Sequence, residues 1–339
     1  MKIKWVVPAV LLALTIGLVL LNPISIRVPD FFASETSGET VNVDQYPSST
    51  IEIVVPSGAG GDTDLAARVT SKYLSEELGT NMVVSNIAGA GGTLGARDVL
   101  EGDPDGHKVL FFHNTLIINE LFQLSNFGFE DYKIAAIALM DYGDSFIINA
   151  DSRFDSVNDF IEEARERPGE VSVGTEVGAY THLQLLAFEE ATNTSYQIVD
   201  VGSASDKIIA LMGNQVDMIP IVHGVINDYV ESGHFRNMGT LSNEDPDTFE
   251  GQPSLVHSGI DLGFEKFFYF AFPPDTPDEI VDQFAASVEA VVQNDTYQEE
   301  IGQYFVTPTY MDREAATVYM KETKEHYQAI VDKLEDQAN

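Results

Sequence analysis

The residues best equipped for chemistry in this chain are the small ones at 56–64, which read PSGAGGDTD. They follow an apolar run, Ile51, Ile53, Val54 and Val55, that reads as a strand ended by Pro56. Ser57, Gly58, Ala59, Gly60 and Gly61 then form a loop almost without side chains, in which glycine permits unusual backbone angles. Asp62 and Thr63 are placed to cap a helix from about Asp64 to Leu78, and Gly79 to stop it. Leu65, Val69 and Tyr73 recur at i+4 and give that helix a buried face. A strand, a small-residue loop and the free N–H groups of a helix N-terminus together make an anion-binding device. The lysine and following hydroxyl of a nucleotide P-loop are missing, and so is G-x-G-x-x-G spacing.

Further loops of this kind follow. Residues 81–85 read as a second strand, and the glycine-rich 86–95 (NIAGAGGTLG) follows it. A strand at 171–174 runs into 175–182 (TEVGAYTH), and an extended run at 197–201 into Gly202-Ser203-Ala204-Ser205-Asp206. Loops after strands converge on one edge of a mostly parallel sheet, where such sheets bind ligands. Buried strands are also expected at 109–112, 134–139, 146–148, 216–222 and 267–272, and helices at 96–100, 157–167, 181–190, 208–212, 278–292 and 312–334. Strands alternating with helices give an α/β class, in two lobes.

Other chemistries lack their residues. The chain of 339 residues has no cysteine, which removes disulfides and thiol catalysis. None of the seven histidines forms an H-x-H or H-E-x-x-H pair, so no metal site is expected. There is no G-x-S-x-G elbow for a serine nucleophile. Asp64 reads as a first-turn carboxylate bridged to Arg68 four residues on, rather than as a catalytic acid. His182 reads as packing or capping rather than as a ligand donor. No cofactor is expected. Acidic residues outnumber basic ones 54 to 18, a formal charge of −36 that excludes free nucleic acid as a partner and suits a surface adapted to salt.

At the N-terminus, Lys2 and Lys4 precede an apolar run to Leu21, a signal peptide or membrane anchor that places the body outside the cytoplasmic membrane. Residues 22–47, with Pro23, Pro29 and Gly38, read as a linker. An exported two-lobed protein with backbone-rich loops and no catalytic set reads as a binding protein that closes on a small anion.

The chain also resembles the extracytoplasmic solute-binding proteins of the tripartite tricarboxylate transporter family, the TctC-like or Bug proteins. Residues 56–68 (PSGAGGDTDLAAR) match the pattern P-x-x-x-G-G-x-x-D-x-x-A-R at each fixed position. Residues 86–95 form the second motif, with Ala88 where proline is usual. Residues 104–107 (PDGH) and 213–217 (GNQVD) complete the set, and the likeness runs from about 49 to 325. The resemblance implies a type II periplasmic-binding-protein fold with two crossover strands: lobe 1 over 48–144 and 266–335, lobe 2 over 145–265. It implies capture of a small organic carboxylate and delivery to membrane permease subunits. Carried over by position, the ligand-binding residues are Ser57, Gly58, Ala59, Gly60, Gly61, Asp62, Ala90 and Gly91 from lobe 1. Lobe 2 adds Thr175, Gly178, Thr181, Gly202 and Ser203.

The second lobe departs from the pattern. Glu176 stands where glycine is usual, Ala179 where serine is, and 198–202 (IVDVG) replaces V-P-Y-K-G. Glu176 and Asp200 would repel a polyanion if they faced the cleft. Either both point to solvent, the reading favoured here, or the ligand has few charges or carries an amine. A carboxylate sensor subunit and a salt-adapted extracellular enzyme are the alternative functions.

Overall fold

The computed structural model describes residues 43–242, 254–260 and 262–338. The apolar N-terminal run and most of the linker lie outside them, as do residues 243–253. Residues 43–47, read as the end of the linker, join the body. The Tyr46 ring is buried and its hydroxyl donates to the Gly106 carbonyl at 3.0 Å.

In chain order the first lobe contains β1 (Ile51–Val55), α1 (Asp62–Leu78), β2 (Met82–Asn86), α2 (Thr93–Leu100), β3 (Lys108–His113), α3 (Thr115–Leu121) and β4 (Lys133–Asp141). The second contains β5 (Asp144–Asn149), α4 (Val157–Glu166), β6 (Ser172–Thr175), α5 (Tyr180–Thr192), β7 (Gln197–Asp200), α6 (Ala204–Met212), β8 (Ile219–Val222), α7 (His223–Glu231) and β9 (Phe235–Thr240). The chain then returns through β10 (Lys266–Phe272), α8 (Asp278–Val292), α9 (Asp295–Gly302), β11 (Val306–Met311) and α10 (Arg313–Ala338). This is a two-lobed α/β periplasmic-binding-protein-like fold with crossover strands.

The six-stranded sheet of the first lobe has the order β11-β4-β10-β3-β1-β2. Only β2, β1 and β3 pair in parallel, whereas β10 runs antiparallel to both β3 and β4. The mostly parallel sheet expected from sequence is therefore a mixed one. The direction of β10 is set by its arrival from the other lobe, not by a helical crossover within this one. All seven β10 residues are buried, because helices cover both sheet faces. Phe111 stacks on Phe268 at 5.6 Å, and Phe284 of α8 packs against Phe270. In the second lobe β8-β5-β9 form one antiparallel sheet and β6-β7 a parallel pair.

Helix α1 begins at Asp62, two residues before the expected start, with Gly61 as its N-cap and no side-chain cap bond. Asp62 does not cap, because its carboxylate is drawn to Lys266. Gly79 ends the helix in the left-handed conformation, as its sequence position predicts. Leu65 is only partly buried, and Ala66, Ala67, Thr70 and Leu74 fill the core beside Val69 and Tyr73. Helix α3 is absent from the sequence reading: Leu116, Ile117 and Ile118 are consecutive and all buried, so no helical period shows. Helices α7 and α9 and strands β9 and β11 are also additions. Strand β11 carries Pro308 and pairs only with β4, at the sheet edge.

Candidate functional site

The loops after β1, β2, β6 and β7 meet where the lobes face each other, around a cavity of about 60 Å³. Roughly 10–15 Å³ serves one water, so the space suits a ligand of only a few heavy atoms. The lobes are closed on one another. A Cβ added to Gly58 would lie 2.9 Å from the Ser203 Oγ, and one added to Gly91 would lie 3.5 Å from the Gly178 carbonyl oxygen. The Tyr180 N–H donates to Thr115 Oγ1 at 3.0 Å, lobe to lobe.

The first loop is braced from behind. Asp64 accepts the Gly60 N–H at 2.9 Å and the Arg68 Nε–H at 3.0 Å. Arg68 continues to Asn86 Oδ1, and the Asn86 amide donates to the Ser57 carbonyl at 3.2 Å. Asp64 thus works as a structural carboxylate behind the loop. The second loop needs its glycines: Gly92 has φ +89°, and a Cβ there would meet the Phe112 ring at 2.5 Å and the Pro56 carbonyl oxygen at 3.0 Å. In the fourth loop Ser203 caps α6, donating its hydroxyl to Asp206 at 2.8 Å while the Asp206 carboxylate accepts the Ser203 N–H.

Of the residues expected from sequence, Ser57, Gly58, Gly61, Asp62, Gly91, Thr181 and Ser203 line this cavity. Ala59, Gly60, Ala90, Thr175, Gly178 and Gly202 are not on its wall but shape the loops that form it. Thr175, for example, is fully buried and shares a 2.8 Å hydroxyl contact with Thr181. Ser57 Oγ is buried and has no hydrogen-bond partner among the described residues. His182 lies off the wall, where its Nδ1 accepts the Gly178 N–H and its ring meets Phe122.

The sequence reading missed the ionisable floor. Lys207, Lys266 and His113 line the cavity. Lys266 opens β10, is buried, and pairs with Asp62 from the start of α1. Burial pushes the Asp62 carboxyl up, but the Lys266 ammonium outweighs it and holds the group down at about 2. Burial drives His113 well below its ordinary value, with Lys266 adding to the effect, so its ring is neutral. Behind the floor, Asp141 ends β4 and Asp144 begins β5, so both sit at the crossover between lobes. Burial pushes both carboxyls up, Asp144 adds to the rise at Asp141, and Lys266 opposes both. Positions 62, 141, 144, 207 and 266 have no common spacing, so no local pattern marks them as a group.

The favoured expectation for the two second-lobe acids holds for Asp200 and fails for Glu176. Asp200 is exposed and accepts the Val177 N–H at 3.3 Å. Glu176 lines the cavity, because the β6–α5 loop turns inward at this position. Among the described residues no group of His, Cys, Asp and Glu is arranged to hold a metal ion.

A family model described as the tripartite tricarboxylate transporter family receptor matches residues 66–335. Protein BugT of Bordetella pertussis is 25% identical over 289 residues, which span 82% of this chain and 87% of BugT. A TctC solute-binding protein from Polaromonas, solved without ligand, is 26% identical with a TM-score of 0.64, covering 85% of this chain and 99% of its own. The fold also matches Rpa4515 of R. palustris, solved with adipate, at a TM-score of 0.81 and 20% identity over 85% and 98% of the two chains.

Proposed function

The chain belongs to the tripartite tricarboxylate transporter receptor family, and from that premise we propose that it closes its two lobes on one small organic carboxylate and hands it to the membrane permease subunits of such a transporter. It is an extracytoplasmic solute-binding receptor. In this reading residues 48–144 and 266–335 form one lobe and 145–265 the other, and residues 1–21 export or tether the body.

The observation that carries the ligand class is the set of polar groups that the cavity wall brings together. Backbone of the first loop, the unpartnered Ser57 hydroxyl and the buried Lys207 ammonium converge there from opposite lobes. Ser57, Gly58, Gly61, Asp62, Gly91, Thr181 and Ser203 are the proposed contacts. The adipate bound by Rpa4515, a fold relative, supports an acid as cargo. A ligand touching both lobes stabilises the closed form by its differential affinity alone.

The test is thermal unfolding of protein first unfolded and refolded to shed trapped ligand. Mono- and dicarboxylates and amino acids are added, with glucose as control. A saturable rise in melting temperature with an acid supports the reading, since a ligand of the native state raises it by mass action. A flat response to every acid refutes it.

A further inference from the structure

Four charged side chains line the cavity, Asp62 and Glu176 against Lys207 and Lys266. Asp62 and Lys266 satisfy each other. Lys207 and Glu176 are left, both from the second lobe, and neither is fully engaged. The Lys207 ammonium donates to the Pro220 carbonyl at 2.8 Å and, at a long 3.5 Å, to Thr181 Oγ1. An ammonium carries three donors, so bonding capacity remains. No hydrogen bond or ion pair reaches the Glu176 carboxylate among the described residues. Burial lowers Lys207 to about 8, opposed first by Asp62, and burial raises Glu176, opposed by Lys207. Both groups therefore gain from a partner that the fold does not supply.

We propose that Lys207 and Glu176 read opposite charges on one ligand, Lys207 seating a single carboxylate and Glu176 an ammonium, so that this receptor selects a small zwitterionic amino acid over a dicarboxylate. The inference rests on the receptor reading above and narrows it. The cavity wall is electroneutral as built: two acids, two lysines and a neutral imidazole. A zwitterion keeps it so and gives each free group an opposite partner. A dicarboxylate places its second charge where the one uncommitted charged group is another carboxylate. Specificity then comes from repulsion as much as from attraction. The cavity volume of about 60 Å³ also suits a ligand with few heavy atoms.

The experiment measures dissociation constants by calorimetry at neutral pH for length-matched probes on refolded wild-type protein and on Glu176→Gln. The probes are β-alanine against succinate, 4-aminobutyrate against glutarate, glycine and alanine as α-amino acids, and propionate. Wild type should bind at least one amino acid at least about tenfold tighter than the dicarboxylates, a modest coupling for paired charges. Glu176→Gln, nearly isosteric, should shrink that ratio about tenfold or more while melting within a few degrees of wild type. A dicarboxylate that binds wild type as tightly as its amino analogue overturns the proposal and leaves the receptor reading standing. So does a ratio unchanged in Glu176→Gln. Failure of every acid and amino acid to bind overturns both.

Discussion

Replacing Lys266 by Met removes the cation shared by the half-buried Asp62 and the buried Asp141 and Asp144. Lys266 is 5% exposed, pairs with Asp62, and lies close enough to Asp144 and Asp141 to oppose the rise in both. Met keeps the length and apolar body of lysine, so lost packing is small. Breaking a buried ion pair from one side costs about 3–5 kcal/mol, because the remaining charge keeps its desolvation penalty. With an unfolding entropy of about 2.1 cal/mol/K per residue, a body of about 300 residues loses roughly 5–8 °C in melting temperature. The sign of the pH dependence follows from the hinge acids. The folded-state pKa values of Asp141 and Asp144 lie above their unfolded values. Between those values the folded state holds more protons, so their contribution to stability falls as pH rises. Without Lys266 that fall is steeper, and the penalty at pH 5 is smaller than at pH 7.5. The double variant Asp62→Asn/Lys266→Met strands no charge from the pair and should recover about 2 kcal/mol of the loss. Urea and thermal unfolding of the wild type and the two variants at both pH values provide the assay. A single-variant loss under about 1 kcal/mol, or a double variant no more stable than the single, would refute the ion-pair reasoning.

Three further outcomes follow from the loops. Gly58→Val places a side chain against Ser203 of the opposite lobe, where a Cβ alone comes within 2.9 Å of the hydroxyl. It should weaken acid binding by at least about tenfold and shift the unliganded melting temperature by less than about 2 °C, read by calorimetry and thermal unfolding. Gly92→Ala combines a positive φ with a contact 2.5 Å from the Phe112 ring; chemical denaturation should show a loss of about 2–4 kcal/mol. Asp64→Ala removes the acceptor for Gly60 and Arg68. Stability should fall by about 1.5–3 kcal/mol in urea, with ligand affinity falling too because the first loop loses its brace.

Much of the site's frame was legible in the chain. The strand–loop–helix at 51–78 could be read because apolar runs, glycines and helical spacing are local signals, and the left-handed stop at Gly79 is one of them. The faces of α4 and α8 were readable for the same reason: Val157, Phe160, Ile161 and Ala164, and Ile280, Phe284 and Val288, keep one helical side and are buried. Helix α3 was not legible, since three consecutive buried aliphatic residues carry no period. The capping role given to Asp62 failed because a lysine 204 positions away competes for its carboxylate.

The sequence alone determined the architecture and the scaffold of the cleft: two α/β lobes, glycine-rich loops after strands, and no nucleophile or metal motif. Those features rest on neighbours in the chain, whose chemistry acts through backbone angles and hydrophobic periodicity. Only the tertiary structure decided what charge the cleft carries. Asp62, Lys207 and Lys266 come from α1, α6 and β10, and lobe closure brings them to one wall. The directions of Glu176 and Asp200 were settled there as well, one lining the cavity and the other bonded to the Val177 N–H. Electrostatic partners are chosen by distance in space after folding, and a linear pattern holds no record of that distance.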